Sequence, residues 1–115
     1  MYLATHNDNI FNMNRVKFLR NETYDFLTSF DDDLVTKVFG LLEILDELGV
    51  HLGPPKLKKI TKEIYELRIV GKVSIRILCS FLNREIYILH AFIKKSQKIP
   101  RKELEKAIHR LTYLH

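Results

Sequence analysis

Between Ile64 and Ile93 three strand-like runs follow one another with almost no chain between them. Ile64 to Val70 ends on Gly71-Lys72. Val73 to Leu82 comes next, with Val73, Ile75, Ile77, Cys79 and Phe81 alternating onto one face. Asn83-Arg84 makes a tight turn, and Ile86 to Ile93 completes the set. Period-two apolar runs joined by two-residue turns predict an antiparallel meander. A meander with an apolar face needs other elements to cover it.

The flanking sequence supplies them. Arg15 to Leu19 alternates roughly and reads as a first strand. Asn21 suits the cap of a short helix over Glu22 to Ser29. Asp31, Asp32 and Asp33 crowd the start of a second helix, where carboxylates meet free N–H groups and the positive end of the dipole. Leu34, Val38, Leu41, Leu42, Leu45 and Leu48 follow at helical spacing, and Gly49 is placed to end that helix. Gly53-Pro54-Pro55 opens a loop that carries Lys56, Lys58 and Lys59. Pro100 suits the start of a last helix, with Leu104, Ala107, Ile108, Leu111 and Leu114 as its apolar face. The order β-α-α-β-β-β-α predicts an α+β fold: a small, mostly antiparallel sheet on two N-terminal helices, with a C-terminal helix. Residues 1–13 show no period and read as a flexible extension, with Met13 an alternative start; residues 14–115 read as one domain.

The chain has 115 residues, of which 46% are hydrophobic, enough for one core. No apolar run approaches the ~20 residues of a membrane span, and no secretory pattern is seen, so a cytoplasmic location is expected. Cys79 is the only cysteine, which excludes an internal disulfide and reads as a small buried hydrophobe. The charge is uneven. Residues 1–49 carry four basic and nine acidic side chains, and residues 50–115 carry fifteen and five. The second half therefore carries a positive excess, which on charge alone reads first as a solvated lysine-rich surface and otherwise as a field suited to an anionic partner.

Phosphate-loop, nucleophile-elbow and zincin motifs are absent. The histidines at 6, 51, 90, 109 and 115 never fall at metal-ligand spacing, so neither a metal nor a cofactor is expected. His90, in an apolar strand, reads as a hydrogen-bonded sheet residue. Arg68 and Arg76 are more informative, since Arg76 stands mid-strand among Ile75, Ile77 and Leu78. Two readings are open: an ion pair with Glu66 or Glu85, or a groove where guanidinium meets phosphate. An antiparallel sheet would gather Lys56, Lys58, Lys59, Lys94, Lys95 and Lys98 with these arginines, and Ser96 and Gln97 lie among the last lysines. Alternation puts Tyr65 on the face opposite Glu66 and Arg68. It also sends Lys94 and Lys95 to opposite faces.

The ordered set Tyr65-Glu-Leu-Arg68, Arg76-Ile77, Leu89-His-Ala-Phe-Ile-Lys-Lys95 and Gln97-Lys98-Ile-Pro100 resembles the phage-derived HigB-like toxins of the RelE superfamily. Leu48-Gly49, Leu52 to Leu57 and Glu103 to Ala107 extend the likeness over about residues 15–112. The resemblance implies a RelE-like fold, a toxin that cuts messenger RNA on the ribosome, and a helix-turn-helix, HigA-like antitoxin bound in a hetero-oligomer. It implies Arg68, Arg76, Lys94 and Lys95 as catalytic residues, with Lys56, Lys58, Lys59, Gln97 and Lys98 on RNA. Many such enzymes add a C-terminal Tyr or His to the site; Tyr113 and His115 follow the last matched helix, which leaves the general base unassigned. A gyrase-directed, ParE-like toxin or a non-catalytic RNA- or antitoxin-binding relative are the alternatives.

Overall fold

The computed structural model describes residues 13–115. The extension read over residues 1–13 lies outside them, save for Met13, which packs half-buried against the core. Strand β1 (Val16–Phe18) leads into helices α1 (Asn21–Thr28) and α2 (Asp32–Leu48). Strands β2 (Leu57–Lys59), β3 (Tyr65–Ile69), β4 (Ile75–Leu82) and β5 (Glu85–Ile93) follow, and α3 (Arg101–Leu111) comes last. The five strands form one mixed sheet in the order β1-β5-β4-β3-β2. The meander is antiparallel, whereas β1 runs parallel to β5. The α+β class and the helix pair are as expected. The sheet has one strand more, because Leu57-Lys-Lys59, read as loop, pairs antiparallel with β3.

Two apolar layers sandwich the sheet. On one face Tyr24 and Leu27 of α1 and Val38, Phe39, Leu42 and Leu45 of α2 pack on Leu67, Ile69, Ile75, Ile77 and Ile88. Burying one such side chain contributes roughly 1.5–3 kcal/mol. On the other face Ala107 and Leu111 of α3 cover Ile64, Leu78, Leu89 and Phe92. Two residues assigned to apolar stripes, Leu48 and Ile108, are instead exposed. Cys79 is fully buried, and burial pushes its thiol up to about 12, so it is a packing residue.

Local chemistry sets the element ends. The Asp31 side chain caps α2 by accepting the Leu34 N–H at 2.9 Å. Gly49 leaves the helix at φ +57°, and a Cβ there would meet the Arg15 guanidinium at 3.2 Å. The Asp46 carboxylate accepts the backbone N–H groups of Asn14, Arg15 and Val16 at 3.1, 2.6 and 2.7 Å. That fastens the start of β1 to α2. Asn83 and Arg84 both adopt positive φ (52° and 69°), as a two-residue hairpin turn requires.

One irregularity matters for the site. Leu78 pairs with His90, but the next residue, Cys79, pairs with Ile88. Leu89 is thus an extra residue on β5, and this bulge turns both Leu89 and His90 toward α3.

Candidate nucleic-acid interface

The β3–β4 register sets Arg68 directly opposite Arg76, and Glu66 opposite Leu78. Alternation along the strands gives Glu66, Arg68, Arg76 and Leu78 one common face, the face that carries α3. Helix α3 covers the β5 and β4 side of it. The β3 and β2 side is left for the charged residues. Tyr65 lies on the other face as expected, with its ring edge-on to Phe81 at 5.0 Å.

Glu66 is 1% exposed and is the counter-ion of both arginines. Arg68 Nε donates to its Oε1 at 2.8 Å. Arg76 Nε lies 3.7 Å from its Oε2, an ion pair too long for a hydrogen bond, and neither atom has a hydrogen-bond partner. Arg76 Nη1 donates to the Ile75 carbonyl at 3.2 Å. Burial pushes the Arg76 guanidinium below the ordinary arginine range; Glu66 opposes that shift and Arg68 adds to it. One carboxylate thus serves two guanidiniums, and the cluster keeps a net positive charge. Glu85, the other partner considered for Arg76, stands at the far end of β4 and pairs with Lys17 at 3.8 Å.

The lysines divide by register. Lys58 pairs with Glu66 and shares the arginine face, whereas Lys59 pairs with Tyr65 on the helix-pair face. The Lys56 carbonyl accepts the Arg68 N–H at 2.8 Å, which extends the ladder beside the arginine pair. Lys94 follows β5, and its N–H donates to the Ser74 carbonyl at 2.8 Å. Continued alternation from Phe92, the partner of Arg76, puts Lys94 on the arginine face. Lys95, Gln97 and Lys98 are exposed in the loop before α3, where the Ser96 hydroxyl donates to the Lys98 carbonyl. No group of three or more His, Cys, Asp or Glu side chains able to hold a metal occurs among the described residues.

A family model for phage derived protein Gp49-like (DUF891) matches residues 25–112. The chain belongs to this family. Gp49-like proteins are associated with the toxins of toxin–antitoxin pairs, which implies an antitoxin partner. No curated protein gives a significant match. The matched span of this Gp49-like chain holds the whole arginine cluster, and no helix among its described residues is long and apolar enough to cross a membrane.

A polar network beside that cluster was not legible in the sequence. His90 Nε2 lies 2.7 Å from Glu103 Oε1, and Arg110 Nη1 lies 3.2 Å from His90 Nδ1. Arg110 also donates to the Leu89 carbonyl at 2.9 Å and to Glu22 of α1. A neutral imidazole fits this arrangement, accepting from Arg110 and donating to Glu103. Burial lowers the His90 pKa, with Glu103 opposing. Both ring nitrogens are engaged, so His90 ties β5 to α3, and Arg110 in turn ties α3 to α1. The signal in the sequence was faint: His90 was visible, but its partners lie 13 and 20 residues away. The C-terminal residues of this Gp49-like chain sit elsewhere. His115 pairs with Glu63 at 3.0 Å. Tyr113 lines a cleft with Leu82, Asn83 and Tyr87, at the opposite end of β4 from Arg76.

Proposed function

We propose that this protein is the toxin of a toxin–antitoxin pair, a HigB-like ribonuclease with a RelE-like fold that cuts messenger RNA on the ribosome. The observation that carries the reading is the opposition of Arg68 and Arg76 beside the part of the sheet that α3 covers, Arg68 half-buried and Arg76 more deeply set, with Glu66 as their shared counter-ion. Two guanidiniums that share one carboxylate have donors and charge left for a phosphate.

The chemistry needs no metal. The 2′-hydroxyl of the RNA attacks the adjacent phosphorus and loses its proton to a base. The P–O bond to the 5′-oxygen breaks, and that oxygen is protonated. The products are a 2′,3′-cyclic phosphate and a 5′-hydroxyl. Arg76 and Arg68 hold the phosphorane, where fixed donors are worth most as charge develops. Lys94 is assigned proton transfer, with Lys95 contributing charge. Lys56, Lys58, Lys98 and Gln97 bind RNA backbone, which positions without specifying sequence. Lys59, on the other face, is assigned to ribosomal RNA. A helix-turn-helix antitoxin holds the toxin silent, in the cytoplasm.

A second reading has its own support. The Glu66 contacts are those of a structural ion pair, which fits a non-catalytic RNA- or antitoxin-binding relative. Mapping messenger RNA 5′ ends after brief induction separates the two. The nuclease reading expects new 5′-hydroxyl ends that Arg76→Ala removes, with growth restored by the antitoxin encoded beside the gene. An unchanged 5′-end profile without growth arrest favours the second reading, and an unchanged profile under growth arrest points to a gyrase-directed, ParE-like toxin.

A further inference from the structure

A cleft of about 590 Å³ runs between α2 and the end of β3. Its apolar wall includes Leu41, Ile44 and Val70, and Ile44 and Val70 are 42% and 66% exposed. Its rim is cationic, with Lys37 and Lys56 beside the two arginines. The sheet edge stops short here. Strand β2 reaches only Leu67 in its pairing, and the ladder ends on the Arg68 N–H to Lys56 bond. Beyond it the Val70 carbonyl accepts from Lys37.

Gly40 lines the same cleft, in the middle of α2. Its backbone is helical, and a Cβ built on it would have no atom within 4 Å. Nothing among the described residues requires a glycine there, and mid-helix glycine is unfavourable. What glycine does provide is room for an outside group to reach the helix backbone.

We infer that this cleft receives an acidic amphipathic segment of a partner protein. The segment seats apolar side chains over Gly40, Leu41 and Ile44, and its carboxylates reach Lys37, Lys56 and the arginine pair. An uncharged apolar ligand leaves the cationic rim unmatched, and a nucleic-acid strand leaves the apolar wall unmatched. An acidic peptide with one apolar side matches both. Its carboxylates would occupy the positions proposed for phosphate, so docking excludes RNA from Arg68 and Arg76. That regulatory consequence rests on the proposed function; the docking itself does not.

The test uses a phage-displayed library of random 16-residue peptides, panned on the full chain with Gly40→Trp as counter-target. Enriched peptides should combine acidic and apolar residues. In fluorescence polarisation they should bind roughly ten- to a hundredfold more weakly to Gly40→Trp and to Lys37→Glu. Gly40→Leu provides a second, milder filling of the cleft, and melting curves show that each variant is folded. No enrichment, enrichment of peptides lacking acidic residues, or equal affinity for folded Gly40→Trp overturns the inference. So does a wild-type dimer in sedimentation that Gly40→Trp dissociates, since a second copy would then fill the cleft. Peptides that bind a chain with no RNA cleavage uphold the docking and remove only the proposed function. Cleavage without any enriched peptide does the reverse.

Discussion

Arg68 and Arg76 stand directly opposite each other across the β3–β4 ladder, and the buried Glu66 carboxylate lies against both. Like charges at opposed positions of a sheet are destabilising. Glu66 offsets that repulsion once, for two guanidiniums. The cluster is therefore held together, yet retains attraction for an anion.

Glu66→Gln tests this balance. Losing a hydrogen bond made to a charged group should lower stability by about 1.5–3 kcal/mol. Removing the internal counter-charge should at the same time tighten RNA binding and steepen its salt dependence, by roughly the contribution of one phosphate contact. Urea titration and filter binding across a salt series report the two effects. Weaker RNA binding by the folded variant would mean that Glu66 is not competing with phosphate.

The His90 network predicts a pH dependence. Burial lowers the folded-state pKa below the unfolded value of about 6.5. The unfolded chain therefore binds a proton first as pH falls. The stabilisation is complete above about pH 6.5 and is lost as pH falls through the depressed folded value. His90→Gln should flatten this part of the urea-midpoint profile between about pH 7.5 and 5. Parallel wild-type and variant profiles would show that His90 does not couple folding to pH.

Gly40→Ala should stabilise the free protein by about 0.5–1 kcal/mol, since Ala is the better helix former and its Cβ meets nothing. Chemical denaturation measures this directly. A destabilised Gly40→Ala would mean that the fold itself needs the glycine.

The meander was legible because Ile75, Ile77 and Cys79 alternate against polar or helix-facing neighbours, and Asn83-Arg84 leaves room for little but a turn. Strand β2 was not, because Leu57-Lys-Lys59 has too few residues for a period; its pairing with Leu67 and its neighbours defines it. The parallel docking of β1 on β5 is equally non-local, and Asp46, which anchors it, reads in sequence as an ordinary helix carboxylate. Within the site, the gathering of Arg68 and Arg76 followed from the antiparallel meander. The sharing of Glu66 and the separation of Lys58 from Lys59 depend on register, which no residue of the run displays by itself.

In the proposed reaction Arg76 stabilises the reacting phosphate. Arg76→Ala leaves Glu66 its hydrogen bond to Arg68, so its melting temperature should fall less than the ~3–5 kcal/mol cost of a fully stranded buried charge implies. Cleavage should fall by roughly 10²–10³, the loss typical of one transition-state donor. The deciding measurement is ribosome-dependent messenger RNA cleavage by wild type and Arg76→Ala, assayed beside their thermal melts. A folded variant with cleavage reduced by that order supports the account, and a folded variant that cleaves like wild type contradicts it.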